Sequence, residues 1–143
     1  MHQFSTEKVL HADIDSIWAI VADFANLDWF AGAEKVEKIG DGIGQVRRIY
    51  MPGMGEPVDE KLLSLSNEDY SLEYEVLEGA VNVMQNYRVH AQLLKIGDGE
   101  TKAVWQGQFD GVTVEGVEPQ QMIDVMQQTY DGMLSAIEDA AKA

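Results

Sequence analysis

Tyr87 and the adjacent pair Arg47 and Arg48 are the first places to look for chemistry in this chain. A phenol can donate a hydrogen bond to a carbonyl or hydroxyl, and a guanidinium can polarise a carbonyl or hold an anion. On a strand read over 84–94, alternation puts Gln85, Tyr87 and Val89 on one face. Arg47 and Arg48, neighbours on another strand, point to opposite faces, so one of them faces the inside of the sheet. There it needs a carboxylate, another polar partner or a ligand anion. Groups suited to proton transfer are fewer. Asp110 and Glu60 are available as bases, although in so acidic a chain a solvated carboxylate is the ordinary case. His2, His11 and His90 are too scattered to hold a metal, and His90 alternates away from Tyr87 and Val89. The chain contains no cysteine, which removes thiol catalysis, disulfides and Cys-ligated metal. It carries no phosphate-binding loop, serine-centred nucleophile motif or paired-carboxylate signature. These residue types describe a binding pocket with a few polar anchors, and they imply neither a cofactor nor a metal.

A chain of 143 residues fits one domain, 1–143, with enough length to bury a substantial core. Its 25 Asp+Glu against 10 Lys+Arg give a formal charge of −15. Nucleic-acid affinity rests on cations that neutralise phosphates, so nucleic acid is not an expected partner, nor is an anionic membrane surface. The first residues, Met1 to Lys8, form no apolar signal region, and no stretch reaches the roughly 20 apolar residues of a membrane span. The expectation is a cytoplasmic protein without membrane insertion.

The elements that must position the anchors follow from periodicity. A first strand is predicted over 3–12, then a helix capped by Asp13 and running to about Phe24. Its apolar face is Ile14, Ile17, Trp18, Ile20, Val21 and Phe24. A break and a short second helical turn are expected over 25–30. Strand-like runs follow over 33–39, 44–51, 58–66, 71–77, 84–94 and 101–114, separated by short turns that favour antiparallel pairing. On the last of these, Trp105, Gly107 and Phe109 share a face, two aromatics beside a hollow. A helix over 118–142 closes the chain, with Pro119 in its first turn. Its apolar arc includes Met122, Ile123, Val125, Met126, Tyr130, Met133, Leu134 and Ile137. Thioethers fill irregular space, so Met122, Met126 and Met133 suit either core packing or the wall of an adaptable pocket. Gly132, at the edge of that arc, is read as permitting close approach by sheet, loop or ligand. The order specifies an α+β fold: a curved antiparallel sheet of about seven strands gripping a long C-terminal helix, with one or two short helices after the first strand.

This pattern resembles the START-like, helix-grip (SRPBCC) superfamily, which includes polyketide cyclase/dehydrase-like proteins, lipid-transfer domains and plant abscisic-acid receptors. The resemblance is carried by Ile17-Trp18-Ala19-Ile20-Val21-Ala22-Asp23-Phe24, Leu27-Asp28-Trp29-Phe30, Gly44-Gln45-Val46-Arg47, Glu60-Lys61-Leu62 and Asn86-Tyr87. It implies a hydrophobic cavity between sheet and C-terminal helix, placed in the polyketide cyclase-like branch. It implies a gate loop containing Pro52, Gly53 and Met54 and a latch of Asn82, Val83 and Met84. It favours Arg47 over Arg48 as the inward guanidinium, and Tyr87 as a pocket residue. It departs from the receptors where their pocket lysine would stand, at Phe30-Ala31-Gly32-Ala33, in a latch without their His-Arg pair, and near Gly107, where they carry a glutamate. Binding of abscisic acid is therefore not implied. What is expected is a small apolar or aromatic ligand, lipid-, polyketide- or isoprenoid-like, held by Arg47, Tyr87, Val89, Trp105, Phe109, Met122, Met126 and Met133. One alternative is a cyclase or dehydratase in which Tyr87 or Arg47 polarises a carbonyl. Another is a ligand-gated interaction module, in its simplest form a homodimer through exposed Met54 and Met84.

Overall fold

The computed structural model describes residues 1–53, 55–77 and 83–142. In chain order the elements are β1 (His2–Leu10), α1 (Ile14–Ala22), β2 (Lys35–Ile39), β3 (Val46–Tyr50), β4 (Val58–Ser66), β5 (Ser71–Val76), β6 (Met84–Gln85), β7 (Arg88–Gly97), β8 (Glu100–Phe109), β9 (Gly111–Val112) and α2 (Pro119–Lys142). Seven strands form one antiparallel sheet in the order β1-β8-β7-β5-β4-β3-β2, and β6 pairs with β9 in a separate two-stranded piece. The α+β grip expected from the sequence is present, with one short helix after β1 and the long helix at the end. Among the described residues no helix is long and apolar enough to cross a membrane.

Alternation decides which sheet face is dry. Leu72, Tyr74 and Val76 of β5 are buried, as are Val89, Ala91 and Leu93 of β7 and Ala103, Trp105 and Phe109 of β8. The core closes on them from α1, through Ile14, Ile17, Trp18 and Val21, and from α2, through Tyr130, Leu134 and Ile137. Asp13 starts α1 by accepting a hydrogen bond from the Ser16 amide at 2.8 Å, which satisfies one of the orphan donors of the first turn. Helix α2 runs along the edge strand β1. Gln127 donates to the Ser5 carbonyl at 3.1 Å, Lys8 pairs with Asp131 at 3.1 Å, and the His11 amide donates to Glu138 at 2.5 Å. The bond to the Ser5 carbonyl occupies a backbone group that an uncovered edge would offer to another chain, and the ion pair at Lys8 helps hold the helix over it.

Three sequence expectations are corrected. Residues 25–30 form isolated turns, with no second helix: the Asn26 amide bonds to the Asp23 carbonyl and the Phe30 amide to that of Leu27. The Asn26 side chain accepts from the Asp28 amide at 3.0 Å, a local bond that competes with helix continuation. The runs 84–94 and 101–114 are each broken in two. Asn86 adopts φ 53, a left-handed conformation that asparagine tolerates, and its side chain donates to Asp110 at 2.7 Å. The chain turns at both residues, so Gln85 is exposed while Tyr87 is buried, and the two do not share a face. In α2, Val125 is 52% exposed and lies off the buried stripe.

Candidate functional site

A cavity of about 260 Å³ opens between α2 and strands β3, β4 and β5. The helix contributes Met122, Met126, Thr129, Tyr130 and Met133, and the sheet contributes Arg47, Ile49, Val58, Glu60, Tyr74 and Val76. Leu27 and Phe30, from the turns after α1, close one side. Val83 and Met84 close another, carried there by the β6–β9 piece. The breaks at Asn86 and Asp110 make this possible. The Asp110 amide donates to the Gln85 carbonyl and the Thr113 amide to that of Val83, each at 2.8 Å, which ties β6 to β9 and holds Val83 and Met84 at the cavity wall. Phe30 in turn lies over Gly32, where a side-chain Cβ would meet the ring at 2.6 Å.

The cavity has a polar inner end. Arg47, only 7% exposed, points inward; Arg48 points outward and pairs with Asp59 at 2.9 Å. Register settles what parity alone left open, because β3 places Arg47 opposite Glu60 on β4. Arg47 Nε donates to Glu60 Oε1 at 2.7 Å and Nη1 donates to the Phe24 carbonyl at 2.8 Å. The guanidinium carbon also sits 4.0 Å from the centroid of the Phe24 ring and 4.9 Å from that of Tyr74, so aromatic faces flank the cation. Beside this pair stand three phenols, Tyr74, Tyr87 and Tyr130. Tyr87 and Tyr130 are hydrogen-bonded to each other through their hydroxyls. Burial pushes all three phenols well above the ordinary tyrosine range, and the negative field of Glu60 adds to the shift. They are neutral donors and acceptors throughout the physiological range.

The residues singled out from sequence fall into separate places. Arg47, Tyr87, Met122, Met126, Met133, Val83 and Met84 lie on the cavity wall. Trp105 lies instead on a void of about 20 Å³ behind it, room for about one water, which it shares with Trp29, Arg47, Tyr74 and Met133. Val89 and Phe109 are fully buried in the core and reach neither space. The hollow beside Gly107 is filled: Phe4, its partner across β1 and β8, places ring atoms at 2.3 Å from where a Cβ would stand. Pro52 and Gly53 are exposed in the turn between β3 and β4 and are not wall residues; Met54 and Asn82 lie outside the described residues. Met84 is 6% exposed and faces the cavity, which corrects its reading as an exposed contact point. His90 lies on the outer face of the sheet with Gln3, Ser5 and Gln106, and Asp110 is exposed and bound to Asn86, so neither enters the cavity. Gly132 has nothing within 4 Å of its would-be Cβ, so it makes no close approach. Tyr130 and Tyr74 went unassigned in sequence because each sits inside an apolar pattern, where a tyrosine reads as one more large core residue.

Comparison with known proteins agrees with this geometry. The family described as "Polyketide cyclase / dehydrase and lipid transport" matches residues 1–142. No curated protein matches the chain. Among solved structures, XoxI from Bacillus cereus superposes with a TM-score of 0.83 at 21% identity, covering 98% of this chain and 95% of that one. A protein from Bacillus thuringiensis gives 0.83 at 20% identity, covering 99% and 100%. The Zhui aromatase/cyclase from a Streptomyces species gives 0.79 at 20% identity, covering 99% and 93%. At these identities the likeness is one of fold.

Proposed function

The chain belongs to the polyketide cyclase / dehydrase and lipid transport family, and from that premise we propose that it binds a small apolar or aromatic molecule between sheet and helix. The observation that carries this reading is the cavity itself: apolar walls that open to water, ending on phenols and an Arg–Glu pair. Full burial of a methionine contributes about 1.5–3 kcal/mol. Met122, Met126 and Met133 are only partly buried, so part of that stabilisation is left for a guest to supply. Few polar anchors among apolar walls is the usual composition of a small-molecule site. A volume of about 260 Å³ lies just below the roughly 300–1,000 Å³ typical of such sites, which favours a compact guest of up to three rings over a full-length lipid. The alternatives gain no comparable support: His90 and Asp110 stand outside the cavity, Glu60 lines it but is held in its ion pair with Arg47, and Met84 is buried within it.

Titration with N-phenyl-1-naphthylamine, a neutral probe that brightens in apolar sites, tests the proposal. Saturable 1:1 binding is expected in the wild-type protein. Met126→Trp, which fills the mouth from the helix side, should weaken it by about tenfold or more, equivalent to about 1.4 kcal/mol, with the circular dichroism spectrum unchanged. Absence of saturable binding, or equal binding by the filled variant, would overturn the reading.

A further inference from the structure

We propose that this cavity selects an uncharged guest: it rejects carboxylates and reads a carbonyl or hydroxyl through Tyr87 and Tyr130. The inference rests on the ligand-binding reading above and narrows its chemistry.

Among the described wall residues Arg47 and Glu60 are the only charged side chains, and they neutralise each other across 2.7 Å. Both are largely withdrawn from water, with side chains 9% and 15% exposed. The cation is occupied on its other sides as well, by the Phe24 carbonyl and the rings of Phe24 and Tyr74. An incoming carboxylate has two options. It can displace Glu60 and leave that carboxylate buried without its partner, or it can sit beside Glu60 so that two negative charges share one cation. Each costs more than the desolvated anion recovers. The −15 charge of the whole chain adds a field of the same sign. An ammonium group is disfavoured in the mirror sense, since it would compete with Arg47 for Glu60.

The phenols are different. Each hydroxyl carries one donor and two acceptor sites. The bond between Tyr87 and Tyr130 uses one donor and one acceptor, and the contact of Tyr130 with Tyr74 uses at most one more of each, so the three phenols together can still both give and receive a hydrogen bond. A ketone or alcohol complements that inventory without displacing anything. A purely hydrocarbon guest would cover these hydroxyls and satisfy none of them.

The test holds the apolar body constant and changes one group. 2-Acetylnaphthalene, 2-naphthoate and naphthalene compete against bound N-phenyl-1-naphthylamine at neutral pH. The ketone should displace the probe about tenfold more effectively than the carboxylate, and more effectively than naphthalene. Tyr87→Phe and Tyr130→Phe should remove the advantage of ketone over naphthalene. Glu60→Gln frees Arg47 and should shift the ketone-to-carboxylate preference about tenfold toward the carboxylate. If that variant does not fold, the wild-type ratio and the tyrosine variants decide. A wild-type protein that binds naphthoate as well as or better than the ketone overturns this inference and leaves the binding function standing. A wild-type protein that does not bind the probe overturns both.

Discussion

Phe4 occupies the space that Gly107 leaves in the sheet. Its ring is stacked on Tyr130 at 6.1 Å between centroids and meets Tyr87 and Phe109 at 6.3 and 6.4 Å, so three aromatic neighbours hold it in place. A methyl group at Gly107 would need ring atoms at 2.3 and 2.5 Å to move. We expect Gly107→Ala to destabilise the fold by about 1–3 kcal/mol, the usual range for overpacking, measured by urea denaturation. Phe4→Leu in the same background should recover part of that loss, a coupling that two independent sites would not show. An unchanged urea midpoint in Gly107→Ala would mean that Phe4 does not hold this place. The same residues mark where the sequence stops being readable. Alternation within one strand correctly groups Trp105, Gly107 and Phe109 on the inner face. Phe4 is a neighbour only through the pairing of β1 with β8, residues about a hundred positions apart, and nothing local to either strand encodes it. Arg47 and Arg48 repeat the lesson: parity says that one turns inward, and only the register opposite Glu60 says which partner it meets.

Helix α2 does two jobs along its length. Its C-terminal half packs Leu134 and Ile137 into the core, while its N-terminal half presents Met122 and Met126 to the cavity, with Tyr130 between the two regions. The 3.6-residue period made this helix and its stripe legible, but it cannot divide a stripe into packed and cavity-facing parts, because both are apolar. Strand breaks were less legible for a related reason. Asn86 and Asp110 look like tolerable polar positions within β runs until their mutual hydrogen bond is seen. Gly132 gives the element its sharpest test. A close approach would have explained a mid-helix glycine; instead the Cβ position faces open space and the residue is exposed. Nothing in the structure explains the choice of glycine there. Gly132→Ala should therefore stabilise the protein by about 0.5–1 kcal/mol, through lower backbone entropy in the unfolded chain and better helix propensity. Thermal and urea unfolding both report it, and a loss of stability would show that an unseen contact or conformation needs the glycine.

The five tyrosines turn the whole molecule into its own probe. All five phenols are held above their ordinary value of 10.0, but for different reasons. Tyr50 and Tyr70 lie near the surface and donate to Glu37 and Asp15, whose acceptance of the phenol proton favours the protonated form. Tyr74, Tyr87 and Tyr130 are raised mainly by burial at the inner end of the cavity. A phenol whose pKa is higher in the folded state than in the unfolded state keeps its proton longer when folded. Its contribution to stability is complete below about pH 10, where both states are protonated. It declines as pH rises from there through the folded value, because the unfolded chain releases its protons first. Absorbance at 295 nm should therefore rise in two stages. Tyr50 and Tyr70, raised by their carboxylate acceptors, should ionise first and reversibly, with the far-ultraviolet circular dichroism intact. The other three should ionise only together with cooperative unfolding. Self-repulsion of a chain carrying a net −15 also strains the fold, but that repulsion is screened by salt whereas the buried phenols are not. Repeating the titration in high salt should shift the unfolding upward and preserve the division of two phenols from three. Five phenols ionising together near pH 10 in a folded protein would mean that water already reaches the Tyr74–Tyr87–Tyr130 cluster. The inner end of the cavity would then be too wet to discriminate between a carbonyl and a carboxylate.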